Sequence, residues 1–365
     1  MNVPKIRFSN FSDDYIVKEI SEITSNISSG KISKQLEDGD YNVYGSMGII
    51  GKSNFYDYTG EKVLVARVGA NAGSVNKINE NCCISDNTLV LEPKDILNDY
   101  LYYSLSHYNP KKLIFGSGQP LVTGGQLKKV QLGVPSKEEQ TKVSNFLSLL
   151  DKKIELQSKK IEDLKLFKMS TLDKYFNKDT CKEKALLKKY CTCLTGKSKA
   201  DKVDINGSYY IMDMGTVNSD GNILKTKPTF CSSDLLSYGD LVMPKDDIGG
   251  GLIIGKTGFI DEDNKYILGD HVYLLKTNGI NSLFLHYQIN SKYINKQLKR
   301  KVTGSAQLGL KSDNILNQEI YVYLEEEQEK IANIFRLIDR KIKLETEKID
   351  KLINLKKGLM QNMFV

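Results

Sequence analysis

The run Gly250-Gly251-Leu252-Ile253-Ile254-Gly255-Lys256-Thr257 fits the spacing G-x-x-x-x-G-K-T of a phosphate-binding loop. In such a loop, backbone N–H groups and the lysine cradle phosphates while the hydroxyl holds a magnesium ion. The chemistry needs a buried strand before the loop and a helix after it, whose N-terminus receives the phosphates. Here Pro244-Lys245-Asp246-Asp247 precedes the motif and Gly258-Phe259-Ile260-Asp261-Glu262 follows it. Leu252, Ile253 and Ile254 read as a strand inside the motif. A β-hairpin is the expectation, with an NTPase using Lys256 and Thr257 as the rival. The first half of the chain has a related stretch, Ser46 to Ser53, that lacks the first glycine.

Other chemistries are missing parts. Six cysteines form no C-x-x-C pair and only three histidines are present, so no zinc site is expected. A nuclease needs clustered acids and a lysine around a metal ion; Lys245-Asp246-Asp247 reads as a polar turn. No Pro-Pro occurs, which excludes the Asn/Asp-Pro-Pro-aromatic motif of an amino-methylating enzyme. Scattered histidines permit no Ser-His-Asp arrangement. No catalytic residue, metal or cofactor is therefore assigned to this chain.

What remains suits a polyanion. Glycine lets backbone N–H groups approach phosphate, while Arg, Asn and Gln can bond base edges. Two loops have that make-up: Arg67-Val68-Gly69-Ala70-Asn71-Ala72-Gly73 and Lys245 through Gly251. Gly116-Ser117-Gly118-Gln119 and Gly304-Ser305-Ala306-Gln307 lie 188 residues apart. Basic positions near loops are Lys31, Lys34, Lys52, Lys197, Lys199, Lys256 and Lys301. The candidate DNA contacts are these lysines with Arg67, Asn71, Ser117, Gln119, Lys245, Ser305 and Gln307. The net charge of +7 is spread along the chain with no basic tail, so affinity must come from charges arranged on one face.

A repeat positions these loops. Residues 138–176 and 326–364 align without a gap, and 15 of 39 positions are identical. Val143, Leu147, Leu150, Ile154, Ile161 and Leu164 alternate by three and four, as do Ile331, Phe335, Ile338, Ile342, Ile349 and Leu352. This is a heptad seam on two helices, each a rod on the order of 50 Å long. A helix with one apolar stripe needs a partner, and each copy supplies one to the other. The seam is broken at matching places, Gln157 with Glu345 and Lys168 with Lys356. These four are candidates to fix register or to contact another protein.

The stretches before the helices carry short β-rich runs at Lys62–Ala66, Thr88–Leu91 and His271–Leu275, with helical runs near 97–107 and 282–299. The division is 1–136, a first spacer helix 137–180, 181–325, and a second spacer helix 326–365. The fold class is α+β: two mixed α/β domains on a pseudo-two-fold repeat. The helices stayed similar while the globular parts diverged, which suits one frame carrying two readers; a two-domain adaptor whose coiled coil is its function is the rival. No apolar run reaches the roughly 20 residues of a membrane span. The N-terminus lacks a signal core, and unpatterned thiols suit a reducing cytoplasm.

Val3-Pro4-Lys5-Ile6-Arg7-Phe8, then Phe11 and Tyr15, resembles the start of the specificity subunit of Type I restriction–modification enzymes, where Trp often stands at Tyr15. Pro135 through Gln140 and Leu150-Asp151-Lys152-Lys153-Ile154 resemble that family's P-x-x-x-E-Q and L-D-x-x-I pattern. Leu324 through Gln328 and Ile338-Asp339-Arg340-Lys341-Ile342 repeat it, with Tyr323 in place of proline. The resemblance implies two target recognition domains, each reading half of a bipartite double-stranded DNA site. It implies a pair of long antiparallel coiled-coil helices that separate them and dock two methyltransferase subunits, with restriction subunits joining. S-adenosylmethionine, ATP and Mg2+ would then belong to those partners.

Overall fold

A computed structural model describes residues 3–31, 36–45, 48–115, 119–177, 179, 182–304 and 307–365. It divides into two compact units, residues 1–158 with 347–365, and residues 159–346.

The first unit opens with β1 (Ile16–Glu19), the short α1 (Ile20–Ile23) and β2 (Thr24–Ser29). β3 (Tyr41–Gly45), β4 (Gly48–Ser53), β5 (Glu61–Ala66), β6 (Val75–Asn79), β7 (Cys82–Ile84) and β8 (Thr88–Pro93) follow. They form a four-stranded sheet in the order β2-β8-β5-β6 and a three-stranded sheet β4-β3-β7. α2 (Asn98–Tyr108) and α3 (Gly124–Lys128) cover the larger sheet, and β9 (Gln131–Val134) pairs back with β1. β5 and β8 are buried on both faces, which explains their unbroken runs Val63-Leu64-Val65-Ala66 and Leu89-Val90-Leu91. α4 (Lys137–Tyr175) starts at Ser136, whose Oγ accepts from Glu139 N.

The second unit repeats this plan. β10 (Lys184–Leu186), β11 (Cys191–Thr195), β12 (Tyr209–Met212), β13 (Pro228–Thr229), β14 (Leu241–Pro244), β15 (Asp246–Asp247), β16 (Gly258–Phe259), β17 (Tyr266–Leu268) and β18 (Val272–Thr277) lead to α5 (Ser282–Asn290) and α6 (Lys292–Lys299). β19 (Leu308–Gly309), α7 (Ser312–Leu316), β20 (Glu319–Tyr321) and α8 (Glu325–Met363) complete it. The sheets have the orders β11-β18-β14-β16 and β13-β12-β17, strand for strand those of the first unit. Even the parallel pairs match, β3 with β7 and β12 with β17.

In each unit the two long helices run antiparallel. Asp151 meets Lys356 in the first; Lys160 meets Glu345 and Lys168 meets Asp339 in the second. Between 154 and 168 the covered positions on α4 are 154, 157, 161, 164 and 168, an unbroken alternation of three and four, while nearer its start Ser144, Phe146, Ser148 and Asp151 are covered as well as 143, 147 and 150. Tyr323, standing where proline is the pattern, packs edge-on against Phe176 and Phe284 and donates to the carbonyl of Tyr175 at 2.7 Å.

Candidate nucleic-acid interface

Each four-stranded sheet ends in an equivalent corner of its own unit. In the first unit the ends of β2 and β5 meet the start of β8, bringing together Gly30-Lys31, Arg67 and Asp86-Asn87. The ladders align Ala66 with Thr88 and Ser29 with Leu89. In the second unit Pro244 aligns with Val272 and Thr195 with Tyr273. The correspondence is thus Lys31 with Lys197, Arg67 with Lys245, Asp86 with Asp270 and Asn87 with His271.

Backbone bonds repeat the match. Arg67 N donates to Asn87 O at 2.9 Å and Lys245 N to His271 O at 3.0 Å; Val122 N donates to Arg67 O and Leu310 N to Lys245 O. Each corner needs a glycine. A Cβ on Gly30 would lie 2.3 Å from Ser85 O, and one on Gly196 2.5 Å from Gly269 O.

The loops after β5 and β14 are joined by the segments holding the two glutamines. Gly69 N donates to Pro120 O, and Val68 bridges Leu121. β15 pairs with β19 just beyond Gln307. Gln119 and Gln307 are both exposed, as are Lys31 and Lys197. Arg67 is half-buried, with Nη1 3.3 Å from Ser29 Oγ. Lys245 lies over the Tyr273 ring and donates to Asp270 O. Asn71 is half-buried in its loop, its carbonyl accepting from Ser74 N. Lys34, Ser117 and Ser305 lie outside the described residues.

Three lysines act inside the fold instead. Lys199 is 3% exposed and gives its ammonium to Asp234 at 2.8 Å and to Leu268 O. Lys301 is half-buried against the carbonyls of Asn314 and Asn317. Lys256 donates to Asn290 O, and burial, assisted by Lys299, pushes its pKa down to about 8. An ammonium as buried as that of Lys199, and already paired with a carboxylate, is not available to a polyanion. Lys52, on the β3–β4 hairpin, donates to Asn42 at 2.9 Å.

The stretch 248–255 is not a hairpin, and Leu252 to Ile254 do not form a strand. It folds around the buried carboxylate of Asp247, which accepts from Gly249 N at 2.6 Å, Ile253 N at 2.8 Å and Ile254 N at 3.2 Å. The chain's own anion fills the cradle that a phosphate would need. Thr257 is fully buried, its hydroxyl bonded to His286 Nδ1 at 3.2 Å. These contacts remove the NTPase reading.

Asp213, Asp270 and His271 gather their ligand atoms within 4.8 Å. Burial disfavours the Asp213 charge, yet the Lys227 ammonium at 2.6 Å outweighs it and holds the carboxyl below its ordinary range. That cation takes one of the oxygens a metal would use.

On the helices, Lys168, Lys356 and Glu345 turn inward rather than towards a partner protein. Lys168 donates to Asp339 at 2.6 Å; the other oxygen of Asp339 accepts from the Tyr287 hydroxyl at 2.8 Å. Lys356, Asp151 and Tyr103 repeat this in the first unit. Glu345 is fully buried between Lys160 at 3.0 Å and Lys341 at 3.1 Å. A seam position buries its charge, and a buried charge must be paired. Gln157 is half-buried on the same seam. Gln140 bonds Leu97 N and Pro135 O, and Gln328 bonds Asn281 N and Tyr323 O, tying each helix start to its own globular part. Leu149 and Leu156 on α4, and Leu337 and Leu344 on α8, remain exposed at matching positions.

Sequence reasoning assigned no role to Asp151 and Asp339, although both belong to the repeat. It also passed over Asn87 and His271, because their correspondence appears only through strand pairing.

The model of the Type I restriction modification DNA specificity domain matches residues 12–166 and again 182–354. The MjaVIII specificity subunit of Methanocaldococcus jannaschii is 27% identical over 82% of this chain and 77% of its own length. The putative type I specificity subunit S.MpnORF285P of Mycoplasma pneumoniae is 29% identical over 41% of this chain and 52% of its own length. Among solved structures, the S subunit of a Type I restriction–modification system from M. genitalium shares the fold at a TM-score of 0.71 and 16% identity. It covers 100% of this chain and 99% of its own. The doubled domain, the doubled strand order and the full-length fold match agree: the chain belongs to the Type I restriction–modification DNA specificity family, as a non-catalytic specificity subunit with two recognition domains.

Proposed function

We propose that each unit reads one half of a bipartite double-stranded DNA site through its strand-end corner. The observation that carries this is the duplicated corner: cations recur at Lys31 and Lys197 and at Arg67 and Lys245, while the loops beside them differ. Recurring cations suit the phosphate backbone, which is the same at any site, and differing loops suit two different half-sites. Gln119 and Gln307, exposed at equivalent positions, fit the shared phosphate role. The exposed leucines at 149, 156, 337 and 344 face away from the seam and offer matching surfaces to two methyltransferase subunits. Restriction subunits complete the assembly. S-adenosylmethionine, ATP and Mg2+ reside on those partners, and the whole works in the cytoplasm. Among the described residues, no helix is long and apolar enough to cross a membrane.

The test is binding to random-sequence DNA across a salt series, followed by selection of preferred sites. A steep negative dependence of log K on log salt with a two-part selected motif is expected. Salt-insensitive binding, or a single contiguous motif, contradicts the proposal.

A further inference from the structure

We infer that Asn87 and His271 read base edges, one in each half-site, while the cations at the matched positions hold phosphate; this rests on the DNA-reading function above. In a duplicated reader of two unlike sequences, positions with the same chemistry serve what the half-sites share. Positions that change serve what distinguishes them. At the corner, charge is kept at 31/197, 67/245 and 86/270, but an amide at 87 becomes an imidazole at 271. Both residues directly precede the strand whose first residue pairs with the end of its neighbour, and each carbonyl accepts from the residue after that neighbouring strand, Arg67 N and Lys245 N. The two side chains therefore stand at one place in two copies of one frame.

Each is prepared for reading. Asn87 is exposed, and no hydrogen bond to its amide occurs among the described residues, while its backbone is held by Arg67 N and Ser85 Oγ. A fixed backbone with an uncommitted amide suits the bidentate contact to adenine N6 and N7. His271 is fixed differently. Its Nδ1 lies 3.0 Å from Asp246 Oδ2, and its backbone N–H faces Asp213 Oδ1 at 3.3 Å. A carboxylate only accepts, so Nδ1 carries the proton and the ring orientation is set. In the neutral ring Nε2 is then an acceptor, and no hydrogen bond to it occurs among the described residues. Such an atom suits the exocyclic amino group of adenine or cytosine. Asp246 acts as a positioning residue for that ring.

The test selects preferred sites for the full chain, assembled with its methyltransferase subunits, from DNA randomised across both half-sites. Asn87→Ser is expected to lose about ten-fold discrimination at one base pair of one half-site, and His271→Asn the same at one base pair of the other. Asp246→Asn should relax the same base pair as His271→Asn. In every case the half-site read by the untouched unit stays unchanged, which shows that the chain is folded. A two-part wild-type motif whose base preferences survive all three substitutions overturns the inference. So does a uniform loss of affinity for all sequences. A wild-type selection with no two-part motif overturns the DNA-reading function itself, and the inference with it.

Discussion

Replacing Asp247 by alanine probes the loop that imitates a phosphate site. The carboxylate is 2% exposed and accepts three backbone N–H groups, two of them at 2.6 and 2.8 Å. A hydrogen bond to a charged group contributes about 1.5–3 kcal/mol net. The glycines at 249, 250 and 251 let the loop open to water in the variant, so each loss falls at the low end. The two short bonds then sum to about 3 kcal/mol. For a unit of 188 residues, each kcal/mol moves the melting temperature by about 2–4 °C. Asp247→Ala is expected to lower the melting temperature by about 6–12 °C in scanning calorimetry of the full chain. Adding phosphate or ATP should not restore it, because the loop has no role in binding either. A change below about 1 °C would refute the bracing role, and rescue by ATP would revive a nucleotide site.

Other consequences are measurable. Asp339→Ala leaves Lys168 and the Tyr287 hydroxyl without their acceptor and should cost about 2 kcal/mol by urea denaturation, as should Asp151→Ala in the first unit; a loss under about 0.5 kcal/mol in both would mean that these triads do not hold the helices. Burial lowers the Lys256 pKa from 10.5 to about 8, so between those values the unfolded chain holds a proton that the folded chain has released, and this group's contribution to stability rises with pH. Lys256→Met should therefore be more stable than wild type at pH 7, with the difference gone above pH 10.5; the same difference at both pH values would rule out the burial penalty. Lys31→Ala and Lys197→Ala should each weaken binding to every sequence and reduce the salt slope by about 1, whereas altered base preference would assign them to reading.

The long helices were legible because their signal is periodic and doubled. The seam positions read between 143 and 168 are all covered in the structure, as are Gln157 and Lys168, and Ser144, Phe146, Ser148 and Asp151 are covered beside them. The fate of the polar seam residues was not legible: Lys168 and Asp339 are 171 residues apart, and only antiparallel pairing brings them together. Strands rich in Val, Leu and Ile, such as Lys62–Ala66, announced themselves. Leu252-Ile253-Ile254 misled, because three apolar residues can suit either a strand or a loop, and the neighbouring Asp247 decided for the loop. Basic residues were the hardest to sort. Lys197 and Lys199 look alike in sequence, yet one is exposed and the other is buried against Asp234. The pairing of Asn87 with His271 emerged from ladder register, as the intervening segments differ in length.

The central claim is that two recognition domains read two half-sites independently. Exchanging residues 1–136 for the corresponding part of another specificity subunit, then mapping methylated sites in DNA from cells carrying the hybrid system, tests it most directly. One half of the recognised sequence should change to that of the donor while the other half stays as in wild type. If both halves change together, or neither changes in a hybrid that still methylates DNA, the two-reader assignment is wrong.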